Sequence, residues 1–382
     1  MNCSPTSARW WCRATRTTRR RARVRHGPEL IDFLILTGFL GSGKTTLLRD
    51  FLAMPEAAET AVIVNEVGEI GLDGAILAEG TGGLRMAMLA NGCVCCALGS
   101  DLADTVSQLV DSRAAPLRRI VLETSGLSKP GPILRGLAPL AALRLRVSVV
   151  ATFDCRRNAD VAGFEEAAAQ WAGAQALVLT KRDLATPEQM DAARAMARGV
   201  NPLAGIIDFE DRRTCVLAAF ATRPPAPAVL PGAADLPHSG NPGIAELPQP
   251  NIAGSAGQST PVPAHPRIAV LLFRWTAKPA WDDFAAWLDN LAGLLGERLL
   301  RVKGVVAVIE SEIPLLIQSV GTMFSAPRPF GGPADPPFLV VIARDTSLEE
   351  VAGVTPALPL AISRLGAPDP FARRTRTPLR AN

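Results

Sequence analysis

Three cysteines crowd one four-residue stretch, Cys93-Val94-Cys95-Cys96, directly after Asn91-Gly92. Thiolates at this spacing can share one soft or borderline cation, and zinc or copper(I) suits them better than magnesium or cobalt. Asn91-Gly92 supplies a tight turn able to fold the sulfurs around one ion. Three sulfurs leave a tetrahedral shell one ligand short. The ion could then be released to a partner, or the shell completed by Glu66, Glu69 or water. Buried or redox-active cysteines are the competing reading of the same residues.

Upstream, Gly38-Phe39-Leu40-Gly41-Ser42-Gly43-Lys44-Thr45 matches the phosphate-binding pattern GxxxxGK[ST], after an apolar run and before a helical one. The glycines let backbone amides converge on a β-phosphate, and the helix starting at Lys44 adds the positive end of its dipole. Lys44 is expected to reach the β- and γ-phosphates, and the Thr45 hydroxyl to ligate Mg²⁺. The nucleotide-binding candidates are Gly38, Gly41, Ser42, Gly43, Lys44, Thr45 and Thr46, joined by Thr180, Lys181 and Asp183 from Leu179-Thr180-Lys181-Arg182-Asp183. The Asp183 carboxylate could accept from the ring N1 proton and the 2-amino group of guanine, a donor pair adenine lacks. Asp183 therefore favours GTP, although Thr180 stands where this guanine motif usually has Asn.

Two further segments have the composition of loops near a γ-phosphate. Residues 65 to 74 (NEVGEIGLDG) are rich in carboxylates and glycine, and Glu123-Thr124-Ser125-Gly126 follows the apolar run Ile120-Leu122. Glu123 is the candidate acid near Mg²⁺ and Gly126 the candidate sensor of the γ-phosphate, so Lys44, Glu123 and Gly126 form the expected catalytic set. The three cysteines lie in sequence between these two loops. Reorganisation at the phosphate would have a short path to the thiolates.

These residues need a frame that brings loops from distant parts of the chain together. From Ile31 short apolar runs (Phe33-Leu36, Ala61-Val64, Ile120-Leu122, Val147-Phe153, Ala176-Leu179) alternate with amphipathic ones, starting with a helix from Thr45 to Leu52. This alternation predicts an α/β fold, a phosphate-loop nucleotidase domain with a mostly parallel, doubly wound sheet. Residues 223–266 are rich in Pro, Gly and Ala and read as a linker. A smaller α+β domain is expected over 267–366, with strands at Ile268-Trp275, Leu299-Ile309, Leu315-Val320 and Phe338-Ile342 and a short helix from Ser347. Trp281, Phe284, Ala285, Leu288 and Leu291 recur at helical spacing and read as core. The nucleotidase domain is expected over 31–222, after an Arg-rich leader at 1–30, and a tail occupies 367–382.

The bulk composition fits two folded units. The chain has 382 residues, 48% hydrophobic and 20% charged. Its formal charge is +4, but eight arginines and no acids precede Glu29, and the remainder carries −4. A slightly acidic body argues against nucleic-acid binding. The leader has three readings: an arm for RNA or anionic lipid, a transit-like presequence, or an extension with no role. The last is favoured because the first strand begins near Asp32 and needs nothing before it. Apolar stretches such as 131–153 carry Arg135, Arg144 and Arg146, which speaks against a membrane span. Seven cysteines without framework spacing fit a reducing, cytoplasmic compartment.

Taken together, the segments Thr37-Leu48, Asn65-Ile70, Asn91-Cys96, Glu123-Leu127, Thr180-Asp183 and Leu300-Gly304 resemble the CobW-like metallochaperone GTPases of the SIMIBI class, the zinc-regulated GTPase metalloprotein activator type. The resemblance runs from Ile35 nearly to the end. It implies a GTPase that uses GTP and Mg²⁺, holds zinc or another divalent metal at its CxCC motif and inserts it into a client metalloprotein. It carries the metal-ligand role to Cys93, Cys95 and Cys96, with Glu66 and Glu69 as further candidates. Thr at position 180 also occurs in the family. Two departures stand out: the linker holds only His238 and His265, and Gly321-Ser325 holds no histidine, so metal buffering by the linker is not expected. Cobalt or iron delivery within the same family, and a thiol redox sensor with a nucleotide switch, are the alternative functions. A homodimer is one admissible assembly.

Overall fold

The structure is a computed structural model that describes residues 30–64, 85–88, 100–111, 117–143, 145–222, 265, 267–331 and 337–365, with backbone alone at 85–88, 100, 101 and 158. The leader, most of the linker and the tail lie outside these residues.

The first unit is a parallel sheet covered on both faces. Its strands are β1 (Ile31–Thr37), β2 (Thr60–Val64), β3 (Arg85–Met88), β4 (Arg119–Glu123), β5 (Leu145–Asp154), β6 (Ala176–Thr180) and β7 (Gly205–Ile207). They lie in the order β3-β2-β4-β1-β5-β6-β7, and every pairing is parallel. Its helices of seven residues or more are α1 (Lys44–Leu52), α2 (Ser100–Asp111), α3 (Pro130–Gly136), α4 (Glu165–Gly173), α5 (Pro187–Val200) and α6 (Arg212–Ala219). The strands are buried on both sides, as parallel sheets under crossover helices must be, and alternate residues serve different cores. Leu34, Leu36, Val62, Val121, Val150 and Val178 pack with Leu47, Leu48 and Phe51 of α1 and with Val216 of α6. Phe33, Ile35, Ile63, Leu122, Val149, Ala151 and Phe153 pack on the other face with residues of α2 through α5.

The second unit is antiparallel. Its strands are β8 (Ile268–Trp275), β9 (Leu299–Val306), β10 (Leu315–Val320), β11 (Met323–Phe324), β12 (Arg328–Pro329), β13 (Phe338–Arg344) and β14 (Leu360–Arg364), ordered β11-β10-β9-β13-β8-β14 with β12 beside β10. One face packs on α7 (Trp281–Leu295) through Phe273, Phe284, Trp287, Leu288 and Leu291, which makes the aromatic stripe a core as expected. The short helix α8 (Leu348–Ala352) is capped by Ser347, whose hydroxyl accepts from the Glu350 amide at 3.1 Å. The other sheet face is not solvated. Ile268, Val270, Leu272, Leu300, Val340 and Ile342 join the same apolar cluster as α4 and α5, so one core runs through both units.

Two sequence expectations need correction. The strand expected over Leu299-Ile309 ends at Val306, because Ile309 and Glu310 form a turn in which Ile309 is 68% exposed. The sheets also contain β3, β7, β11, β12 and β14, none of which was expected. β7 has only three residues, too few to show a period.

Candidate functional site

The loop between β1 and α1 is held open and rigid from below. Gly38 has φ +147, and a Cβ there would come within 2.0 Å of Thr152 Oγ1, so this position requires glycine. Gly41 and Gly43 also take positive φ, and Gly43 is the N-cap of α1 with no side chain capping it. The N-cap residue therefore brings no side chain of its own to the first amides of α1, which suits an anion site at a helix start. Buried Ser42 shares a 2.6 Å hydrogen bond with Thr152. Lys44 is buried, and its Nζ donates to Gly38 O at 3.0 Å and Phe39 O at 3.4 Å, curling over the loop. Thr46 sits exposed on the first turn of α1.

The parallel register puts the C-terminal ends of β1 and β4 side by side, with Leu36 opposite Glu123. The Thr45 hydroxyl consequently donates to Glu123 Oε1 at 2.6 Å, although the two residues are 78 positions apart. Glu123 is only 4% exposed. A hydroxyl and a buried carboxylate in contact are hard oxygen donors, the set Mg²⁺ prefers, so these residues fit that ion. Gly126 lies tight against the phosphate loop: a Cβ there would sit 2.5 Å from Leu40 Cδ2 and 2.8 Å from Leu40 Cα. The expected set Lys44, Thr45, Glu123 and Gly126 is thus brought to one end of the sheet.

Thr180 lies beneath the phosphate loop. It is buried, and its hydroxyl donates to Ser42 O at 2.8 Å and is 3.2 Å from Phe153 O, which fastens the phosphate loop to β5 and β6. Lys181 follows in the left-handed conformation, φ 55, and its Nζ meets Asp154 Oδ2 at 2.7 Å. Asp183 stands exposed in the next turn. Asp154 is a site residue that sequence reading missed; the only signal was its place at the end of β5.

Gln170 was also missed. It is fully buried on α4, and its amide nitrogen donates at 3.0 Å to both Gly126 O and Ser128 O, holding the loop after β4. Its Oε1 meets no donor among the described residues. At the far end of the same helix, Arg301 of β9 donates to Gly173 O at 2.6 Å and Ala174 O at 2.8 Å. Burial pushes the Arg301 guanidinium down to about 10.

The thiol candidates Cys93, Cys95 and Cys96, with Glu66 and Glu69, lie outside the described residues. Among the described residues no group of three His, Cys, Asp or Glu side chains converges as a metal site would. Cys155 and Cys215 are buried, and neither is in a disulfide. Burial pushes Cys155 up to about 11 and raises Cys215, which disfavours the thiolate in both. Among the described residues no helix is long and apolar enough to cross a membrane.

Residues 32–208 match the CobW/HypB/UreG nucleotide-binding domain, and residues 268–353 match the C-terminal domain of the cobalamin synthesis protein CobW. A zinc chaperone CobW of Pseudomonas aeruginosa is 43% identical over 133 residues, 32% of this chain and 35% of that one. Zinc-regulated GTPase metalloprotein activator 1 of Schizosaccharomyces pombe is 33% identical over 187 residues, 47% of this chain and 45% of that one. The chain thus spans between a third and half the length of these relatives. The crystal structure of Zn(II)-bound YjiA GTPase from Escherichia coli shares the fold, with a TM-score of 0.58 at 23% identity over 85% of this chain and 97% of that one.

Proposed function

From the premise that this chain belongs to the CobW/HypB/UreG family, with the CobW C-terminal domain, we propose that it is a GTP-hydrolysing metallochaperone. It takes zinc as cargo at Cys93, Cys95 and Cys96 and passes it to a client metalloprotein in a reducing, cytoplasmic compartment. The observation that carries the nucleotide half is the 2.6 Å contact between Thr45 and Glu123 beside a glycine-rich loop that enters its helix through Gly43. The thiol half is supported by topology. β3 runs parallel to β2 and ends at the same sheet edge as the phosphate loop, and Cys93 follows its last residue by five positions.

In this reading the amides of the loop and Lys44 Nζ bind the β- and γ-phosphates, Nζ leaving Gly38 O and Phe39 O to do so. Thr45 and Glu123 are the residues that would hold Mg²⁺, whose charge offsets the charge that develops on the transferred phosphoryl group. Gly126 offers its amide to the γ-phosphate, and Asp183 is the contact for guanine. Hydrolysis removes what the Gly126 loop was holding, and the loosened thiolate site gives up its zinc.

The test is direct. Cys95→Ala in the full chain should abolish stoichiometric zinc binding and leave GTP binding intact, whereas Lys44→Ala should lose the nucleotide. Zinc stoichiometry unchanged by Cys95→Ala would remove the thiolate site from the account.

A further inference from the structure

Helix α4 is gripped from four sides by groups that belong to different parts of the molecule. Gln170, at its centre, holds the loop after β4 through Gly126 O and Ser128 O, both at 3.0 Å. Glu165, in its first turn, is paired with Lys129 of that same loop and with Arg344 of the second unit. At the C-terminal end Asn201, wholly buried, donates to the carbonyls of Trp171, Ala172 and Ala174 at 2.8, 3.0 and 2.9 Å. Arg301 of the second unit donates to Gly173 O and Ala174 O. Between these grips the helix is Ala167, Ala168, Ala169 and Ala172, small enough for the sheets on either side to close on it.

The Arg301 contact is unusual in its chemistry. A guanidinium 3% exposed pairs with no carboxylate among the described residues, and its Nε has no partner there either. Among the described residues its hydrogen bonds go to the two carbonyls that end α4, where the helix dipole is negative. A buried cation with so few alternatives fixes where that helix end must be. Because α4 is nine residues long, a shift at the Arg301 end is a shift at Gln170, one turn away.

We infer that α4 is the strut through which the second unit sets the position of the γ-phosphate loop, with Gln170 and Arg301 as positioning residues for GTP hydrolysis. The inference rests on the GTPase reading above. Gln170 holds the carbonyl of Gly126, the residue whose amide faces the nucleotide, and Arg301 holds the helix that carries Gln170. When the γ-phosphate leaves, the loop's hold on Gln170 changes, and the same helix end reports it to β9. Neither side chain touches the nucleotide.

The experiment compares the full-length wild type with Gln170→Leu, Arg301→Met and the double variant, measuring kcat and KM for GTP with a melting curve of each. Both single changes should lower kcat by roughly threefold to thirtyfold while KM moves little, and Arg301→Lys should recover part of the loss. The double variant should be no slower than the slower single one, because both act on one element. A wild-type kcat in Arg301→Met, or losses that multiply in the double variant, would overturn the inference. If a variant does not fold, amide hydrogen exchange of the wild type decides. Residues 165–174 and β9 should change protection together between GDP and a non-hydrolysable GTP analogue, and independent behaviour would overturn the strut. A wild type that does not hydrolyse GTP would defeat the GTPase reading itself, an outcome distinct from a working enzyme indifferent to Arg301.

Discussion

Thr45 and Glu123 are two residues that the sequence separates by 78 positions and the sheet brings to 2.6 Å. A buried carboxylate that already accepts from the phosphate-loop hydroxyl is preorganised, so little rearrangement is left for the moment of reaction. Glu123→Gln and Thr45→Ala should each lower kcat for GTP hydrolysis by about a hundredfold or more, read as phosphate release at saturating GTP, with melting temperatures close to wild type. Gly126 makes a sharper test of geometry. A Cβ there meets backbone at 2.8 Å, so Gly126→Ala must push the loop away from Leu40. Nucleotide binding should persist and hydrolysis should collapse, which separates positioning from affinity.

Elements explain what single residues do not. The phosphate loop depends on β5 and β6 beneath it, through Thr152 on Ser42 and Thr180 on Ser42 O. Thr180→Val deletes a buried hydroxyl and leaves that carbonyl without its donor, a cost of about 1 to 3 kcal/mol. The protein should melt earlier and bind GTP more weakly; unchanged melting and affinity would show the loop to be fastened elsewhere. This element also shows what could be read in advance. GxxxxGKT and the apolar runs declared the loop, the helix and the central strands, because glycine, lysine and an unbroken apolar run each leave a local trace. Thr180 was placed among the nucleotide-binding candidates because it belongs to the motif defined by the aspartate three residues on, and where its hydroxyl points, under the loop, left no local trace. Gln170 gave no trace at all: it sits in an alanine-rich helix, and its partners lie more than forty positions away. β7 and β14 exist through the strands they pair with, so short or half-buried segments carried too little pattern of their own.

At the scale of the whole molecule the two units share a core, and a buried histidine sits at their joint. His265 is 5% exposed where the chain enters the second unit, with Nε2 at 2.7 Å from Ala162 O and Nδ1 accepting from the Arg267 amide at 3.2 Å. Burial, with the nearby Arg267 charge, holds its pKa below the ordinary value despite the Ala162 carbonyl and Asp345. The folded state thus favours the neutral ring. That stability is fully present above the unfolded value of about 6.5 and is lost as pH falls from there toward the folded pKa. Melting temperature should therefore drop between pH 7 and 5.5, and by less in His265→Gln; equal slopes would clear His265 of the role. The measurement that bears most directly on the account is zinc affinity of the full-length protein in GDP and in a non-hydrolysable GTP analogue. Coupling between the sites predicts affinities that differ by about tenfold or more, and equal affinities in the two states would contradict it, because hydrolysis would then have nothing to drive.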